Sequence, residues 1–256
     1  MTKKVDFSRL SSIKIGPVVD VYLIDDFDYP KDHFILGSAN NILVSPNPPP
    51  LMMLSKKFDY IKIEENRLII GAATPSGKIV SFCKKNNISN FEFLSHLPGT
   101  LGGIIKMNAG LKEFEIFNNL IAVQIGKNLL NKEEINYGYR YTDIEDVIFE
   151  AHFKIEYGFE KKRIELFKNM RSNQPKEASA GSCFKNPPND YAGRLIEEVG
   201  LKGKRVGDMQ FSNIHANFLV NLGSGAYDDA MLLINEAKKK VLEKFNISLK
   251  EEIIVI

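Results

Sequence analysis

The sequence holds only two cysteines, Cys83 and Cys183, far apart along the chain. Two are too few for a disulfide scaffold, and the absence of any C-x-x-C pair removes the usual zinc and dithiol motifs. The four histidines, His33, His96, His152 and His215, are scattered, so no metal site is expected. No stretch approaches the ~20 continuous apolar residues of a membrane helix. The opening MTKKVDFSRL lacks the apolar run of a signal peptide. Charge of one sign is also missing: 34 Lys and Arg against 32 Asp and Glu leave a net +2, with basic and acidic residues interleaved. Nucleic acid and membrane are therefore not expected partners, and a cytoplasmic protein is. No apolar stripe marks a subunit interface, so a monomer is expected.

What remains is an ordinary globular composition, 44% hydrophobic and 26% charged over 256 residues, enough for two or three small domains. VVDVYLID (residues 18–25) and HFILGS (33–38) read as short strands, and PNPPP (46–50) as a boundary. DYIKIEENRLIIGAA reads as a hairpin with arms at 59–63 and 67–72. Ser76 is placed as the cap of a helix whose buried face carries Ile79, Val80 and Cys83. Strands are expected in NNLIAVQIG and DVIFEAHFKIE, then a helix in EKKRIELFKNMRSN and a second boundary near Gln174-Pro175. Further on, Asp190 is placed as the cap of a helix with Ala192, Leu195, Ile196 and Val199 on one face, ended by Gly200 and Leu201. ANFLVN reads as a strand. A long helix from Ala226 carries the stripe Ala230, Leu233, Ile234, Ala237, Val241 and Phe245. EEIIVI closes the chain as a strand. The sum is an α+β protein.

Several stretches can carry chemistry. HLPGTLGGIIKMNAG places Gly99, Gly102 and Gly103 within five residues, which lets backbone N–H groups converge on a pyrophosphate. The spacing matches neither the P-loop nor the dinucleotide fingerprint, and a tight packed turn fits it as well. LGSANNILV reads by itself as a corner between strands. In YGYRYTD, Arg140 either stacks between Tyr139 and Tyr141 or is held to grip a carboxylate. AGSCFKNP sets Ser182 beside Cys183 but lacks the nucleophile-elbow pattern G-x-S-x-G. His215 and Asn217 in HANFLVN suit either ligand contact or structural support. Of Glu251 and Glu252, successive side chains on one strand, only one can face the interior.

The order of these blocks is more telling than any one of them. LGSANNILV, LPGTLGGIIKMNAG, YGYRYTD, AGSCFKNP, AGRLIEEVGLKG, HANFLVN and LKEEIIVI together resemble the UDP-N-acetylenolpyruvoylglucosamine reductase family, in its shorter type, over nearly the whole chain. The resemblance implies a vanillyl-alcohol-oxidase/PCMH-like flavin fold of two subdomains plus a small α/β substrate-binding domain. Residues 1–49 and 50–172 with 247–256 would bind FAD, and residues 173–246 the substrate. It implies NADPH as reductant, bound FAD as cofactor and a sugar nucleotide as substrate, whose enolpyruvyl group becomes the lactyl group of UDP-N-acetylmuramate. Arg140, Ser182 and Glu252 match the family's catalytic groups. Gly37, Ser38, Ala39, Asn40, Asn41 and Ile42, with Pro98, Gly99, Thr100, Gly102, Gly103, Asn108, Ala109 and Gly110, match its FAD-binding stretches. Tyr139, Lys185, Asn186, His215 and Asn217 would face the substrate, and Cys183 would be a packing residue. Another FAD oxidoreductase of the same fold and a non-catalytic nucleotide-binding relative are the competing readings.

The chain departs from the family pattern at four places. LGGGSN appears as LGSANN, with Ser38 and Ala39 replacing glycines, and an initial IGG reads IGP at residues 15–17. NAGAYG reads NAGLKE. In the last block LExE reads LKEE, which keeps Glu252.

Overall fold

The computed structural model describes residues 1–256, which fold as two compact units. The first comprises residues 1–3, 21–38 and 50–172; the second comprises 4–20, 39–49 and 173–256.

The first unit is built on a five-stranded antiparallel sheet in the order Asn128–Asn131, Leu120–Ile125, Ile148–Lys154, Arg67–Gly71, Ile61–Glu64. The last two strands form the expected hairpin, closed by Glu65 and Asn66, both at positive φ, as the right-handed twist of a two-residue turn requires. One face of the sheet buries Leu68, Ile70, Val123, Ala151 and Phe153 against the helices Ser76–Lys85, Leu101–Lys106 and Lys161–Met170. Ile79, Val80 and Cys83 lie in that core, and burial pushes the Cys83 thiol up to about 12, so it packs as a neutral hydrophobe. The first helix differs from expectation at its start. Pro75 is its cap and Ser76 its first residue, because the fixed φ of proline already delivers the extended cap geometry. A parallel set of strands, with Val21 and Phe34 both opposite Leu51, completes this unit. Phe149 joins it to the sheet through close ring contacts with Phe27, Tyr29 and Phe58.

The second unit has a four-stranded antiparallel sheet ordered Ala178–Ser182, Phe218–Asn221, Met209–Phe211, Arg205–Val206. The helices Ala192–Glu198 and Tyr227–Phe245 bury Leu195, Ile196, Leu233, Ile234, Ala237 and Val241 against it. Ile13, Ile15 and Leu43, from the early segments, belong to the same core. Tyr191, not Asp190, caps the shorter helix. Asp190 is drawn instead into an ion pair with Arg194, which holds its carboxyl down at about 2. The other end is as expected: Gly200 donates to the Glu197 carbonyl and Leu201 to that of Ile196, a Schellman arrangement.

The final segment also differs from the sequence reading. Residues 247–256 lie in the second unit, not with residues 50–172, because Ile254–Val255 runs parallel to Ile42–Leu43 and pairs with it there. The strand is only two residues long.

Candidate active site

In the first unit the glycine-rich stretch is a turn followed by the six-residue helix Leu101–Lys106. The Leu101 and Gly102 N–H groups donate to the carbonyls of Thr74 and Ala72. A Cβ at Gly102 would stand 3.2 Å from the Ala72 Cβ, so this glycine lets the helix settle on the end of the sheet. Gly103 differs: a Cβ there would meet nothing within 4 Å. Gly37 lies alongside, its Cβ position 3.0 Å from Thr100 Oγ1 and 3.9 Å from the Gly103 nitrogen. Of these three glycines, Gly37 and Gly103 thus approach one another near the start of the helix, while Gly102 packs against Ala72.

Arg140 occupies the turn of the hairpin Tyr137–Gly138 and Tyr141–Thr142, at φ +54. Its Nη2 donates to the Gly110 carbonyl at 2.9 Å, and its guanidinium lies 5.2 Å from the Tyr139 ring. Tyr139 is exposed. Arg140 therefore both stacks and is tethered. The guanidinium of Arg171 is close enough that burial and the Arg140 charge together hold its pKa below the ordinary arginine value. No sequence pattern linked these two arginines, since the chain passes through the sheet between them.

In the second unit Ser182 ends the strand Ala178–Ser182 opposite Phe218, after an irregular step in the pairing. The next residues are held on every side. Cys183 donates to the Asn217 carbonyl at 2.7 Å. The Glu252 N–H donates to the Cys183 carbonyl at 2.9 Å, and Lys185 to the Lys250 carbonyl at 2.9 Å. Asn41 Nδ2 donates to the Glu252 carbonyl at 2.8 Å. The backbone of Glu252 is thereby tied to that of Cys183, the residue that follows Ser182. The Cys183 thiol is itself buried, and desolvation with the nearby Glu251 and Glu252 charges pushes its pKa up. It is a thiol in the core, not a nucleophile. Glu251 takes the other direction, to an ion pair with Lys238 at 2.6 Å.

The remaining expected substrate contacts divide in character. Asn217 is 3% exposed and uses both ends of its amide on Phe184, so what the structure gives it is a bracing role. Asn186 is exposed, and its Oδ1 accepts the Ala192 N–H at 3.1 Å. His215 is half-buried. Its Nδ1 accepts the Asn217 N–H at 3.2 Å, and burial lowers its pKa, so the neutral ring carries its proton on Nε2. Ala39 sits at φ +55 with a buried side chain, a left-handed backbone at a position where the family pattern has glycine.

A reductase from Campylobacter jejuni described as UDP-N-acetylenolpyruvoylglucosamine reductase is 46% identical, over 98% of this chain and 99% of its own. The chain belongs to the UDP-N-acetylenolpyruvoylglucosamine reductase family. A Helicobacter pylori reductase of the same description is 44% identical over 98% of both chains. The model of the C-terminal domain of UDP-N-acetylenolpyruvoylglucosamine reductase matches residues 174–256. The crystal structure of the Thermus caldophilus reductase superposes with a TM-score of 0.87 at 29% identity, covering 100% of this chain and 98% of the other. The fold is therefore that of the reductase family, a mixed α/β arrangement. No helix is long and apolar enough to cross a membrane, and no group of three or more His, Cys, Asp or Glu could hold a metal ion. Within this reductase-family chain, Arg171 and the bracing role of Asn217 are the features that the sequence patterns left out.

Proposed function

We propose that this chain catalyses the NADPH-dependent reduction of UDP-N-acetylenolpyruvoylglucosamine to UDP-N-acetylmuramate, a peptidoglycan precursor, with FAD as bound cofactor. The observation that carries the reading is 46% identity, over 98% of the chain, to a relative named UDP-N-acetylenolpyruvoylglucosamine reductase; the sequence also has Arg140, Ser182 and Glu252 where the family pattern expects its catalytic groups.

Residues 37–42 and 98–110 would hold FAD. The fit rests on Gly103, where a Cβ would meet nothing within 4 Å and the missing side chain leaves backbone open to an approaching pyrophosphate, with Gly37 close beside it. When bound, FAD would supply the hydride chemistry, with NADPH as reductant and flavin N5 to C3 of the enolpyruvyl group as the expected path. An enol ether accepts hydride only when its carboxylate can take up charge. Arg140, with Arg171 adding to the positive field, would stabilise that charge, a contribution of ~3–4 kcal/mol per well-placed donor. Glu252 would act as the acidic partner near the carboxylate. Ser182 Oγ would then give a proton to C2, a general-acid role worth ~10²–10⁴-fold. Tyr139, Lys185, Asn186 and His215 would contact the sugar nucleotide, His215 through its Nε2–H, while Asn217 would support them. In this reading the unit of residues 1–3, 21–38 and 50–172 supplies most of the flavin-binding part, the unit of 4–20, 39–49 and 173–256 carries the substrate-binding part, and the enzyme works as a cytoplasmic monomer.

The test is a visible spectrum of purified protein, followed anaerobically by NADPH and then by the enolpyruvyl substrate. The expected result is a flavin band that bleaches with NADPH and returns with substrate. A band that returns only with oxygen would assign the chain to another oxidoreductase chemistry. Absence of any band after added FAD would overturn the enzymatic reading.

A further inference from the structure

Beyond Gly110, residues 111–115 carry no role so far, and the first three of them, Leu111, Lys112 and Glu113, are where NAGLKE leaves the family's NAGAYG. Residues 110–115 form a tight hairpin, Gly110 opposite Glu115 and Leu111 opposite Phe114, with Lys112 in the turn at φ +54. We propose that Glu115, acting through Asn108, is a positioning residue for the Arg140 guanidinium. The inference rests on the reductase reading.

Asn108 is completely buried. Its Nδ2 donates to Glu115 Oε2 at 2.9 Å and to the Gly138 carbonyl at 3.1 Å. The two hydrogens of a primary amide point in fixed, divergent directions in one plane. Engaging one with a carboxylate, the stronger kind of acceptor, fixes where the other points. Here it points at Gly138, two residues before Arg140 in the same hairpin.

The second anchor also depends on Glu115. Arg140 Nη2 donates to the Gly110 carbonyl, and Gly110 is the residue paired with Glu115. A Cβ at Gly110 would fall 2.3 Å from the Phe114 oxygen and 2.8 Å from the Glu115 Cα, so only glycine allows the two strands this close. Glu115 therefore reaches the Arg140 turn twice, by side chain through Asn108 and by backbone through Gly110.

Both hairpins are secured to rigid parts of the unit. Phe114 packs edge-on against Phe167 of the helix Lys161–Met170 at 5.0 Å. Phe117 stacks on Tyr137 at 4.3 Å and 29°. Thr142 Oγ1 donates to the Lys106 carbonyl at 2.8 Å. Such bracing is what the Arg140 turn needs, because its left-handed backbone is not one that arginine prefers. A guanidinium displaced by about 1 Å from the enolpyruvyl carboxylate loses about 100-fold in rate.

The experiment compares flavin-loaded wild type with Glu115→Leu and Glu115→Gln. Stopped-flow measures NADPH-driven bleaching and substrate-driven reoxidation separately, and the Arg140 side-chain N–H resonance is followed by NMR. In Glu115→Leu, bleaching is expected within about twofold of wild type and reoxidation slowed about 10- to 100-fold, with the Arg140 resonance broadened. Glu115→Gln, whose amide oxygen still accepts from Asn108, restores both. Unchanged reoxidation in a folded, flavin-loaded Glu115→Leu overturns the proposal. So does an equal fall in both half-reactions, which would mark a merely structural role. Should Glu115→Leu not fold, Glu115→Asp, one methylene too short for Asn108, is judged by the same criteria. Failure of the wild type itself to be reoxidised by substrate would sink the reductase reading instead.

Discussion

Asn217 grips Phe184 by both backbone groups: its Oδ1 accepts the Phe184 N–H at 2.9 Å, and its Nδ2 donates to the Phe184 carbonyl at 2.8 Å. The side chain thus mimics a strand neighbour for the segment that follows Ser182. Replacement by leucine strands both groups in the interior, and each buried group without a partner costs about 1–3 kcal/mol. Asn217→Leu is expected to lower stability by about 2–4 kcal/mol in urea unfolding followed by circular dichroism. A loss under about 0.5 kcal/mol, the range of surface substitutions, would refute the bracing role.

Ser182→Ala separates the two halves of the reaction. NADPH is expected to bleach the flavin at the normal rate, while reoxidation by the enolpyruvyl substrate falls about 10²–10⁴-fold. Equal slowing of both halves would contradict a proton donor at this position.

Gly103→Ala tests whether the open space beside the helix is reserved. Within the protein the new methyl meets nothing within 4 Å, and alanine is the better helix former by about 1 kcal/mol. FAD-free protein is therefore expected to be as stable or slightly more so, and FAD to bind more weakly. Calorimetric titration with FAD reads the second effect, and unaltered affinity would place the cofactor elsewhere.

Ala39→Gly is the converse case. The left-handed backbone at Ala39 costs an L-residue roughly 1–2 kcal/mol, which glycine avoids. Some of that gain is offset by the freer unfolded chain, so a rise of about 0.5–1 kcal/mol is expected in denaturant unfolding. A destabilised variant would mean that the buried Ala39 methyl contributes more by packing.

The pH dependence of stability turns on Glu150, to which His152 Nε2 lies 2.7 Å away and to which the Tyr60 hydroxyl also donates. Burial works to raise the Glu150 pKa, but the bonds to His152 and Tyr60 outweigh it and hold it below the ordinary glutamate value. A depressed carboxyl stabilises the fold above its unfolded pKa, about 4.3. That stability is lost as pH falls through the lower folded value. The Tyr60 hydroxyl is shifted the other way, upward, by burial and by Glu150, so its contribution is present below about pH 10 and lost at higher pH. Glu150→Gln should flatten the decline in stability below about pH 5. Urea midpoints measured from acid to neutral pH check this, and an unchanged slope would assign the acid sensitivity to other groups.

Local structure was the most legible part of the sequence. The hairpin turn, read at residues 64–66 and found at Glu65-Asn66, the Gly200-Leu201 helix end and the stripe of the helix Tyr227–Phe245 each follow from near neighbours in the chain. Caps were less so, since Asp190 had two possible partners and the Arg194 guanidinium took it from the helix N–H groups. Contacts between distant segments were not legible at all. Nothing in HANFLVN reveals that Asn217 will satisfy Phe184, 33 residues earlier, and nothing in EEIIVI names Ile42–Leu43 as its neighbour. Of the candidate site, the order of the motif blocks was readable, and that order carried the resemblance to the family. The Asn108–Glu115 bond was not readable, because it closes across the turn at Lys112 and Glu113, where the chain leaves the family pattern.

The chain passes between the two units five times, after residues 3, 20, 38, 49 and 172. Neither unit is therefore a portable module. A fragment beginning at Asn173 would carry the whole span matched by the C-terminal family model, yet would lack Ile13, Ile15 and Leu43 from its interior and the strand beside Ile254–Val255. Recombination with a relative at that boundary would exchange an incomplete hydrophobic core. Productive chimeras must take residues 4–20, 39–49 and 173–256 from the same parent.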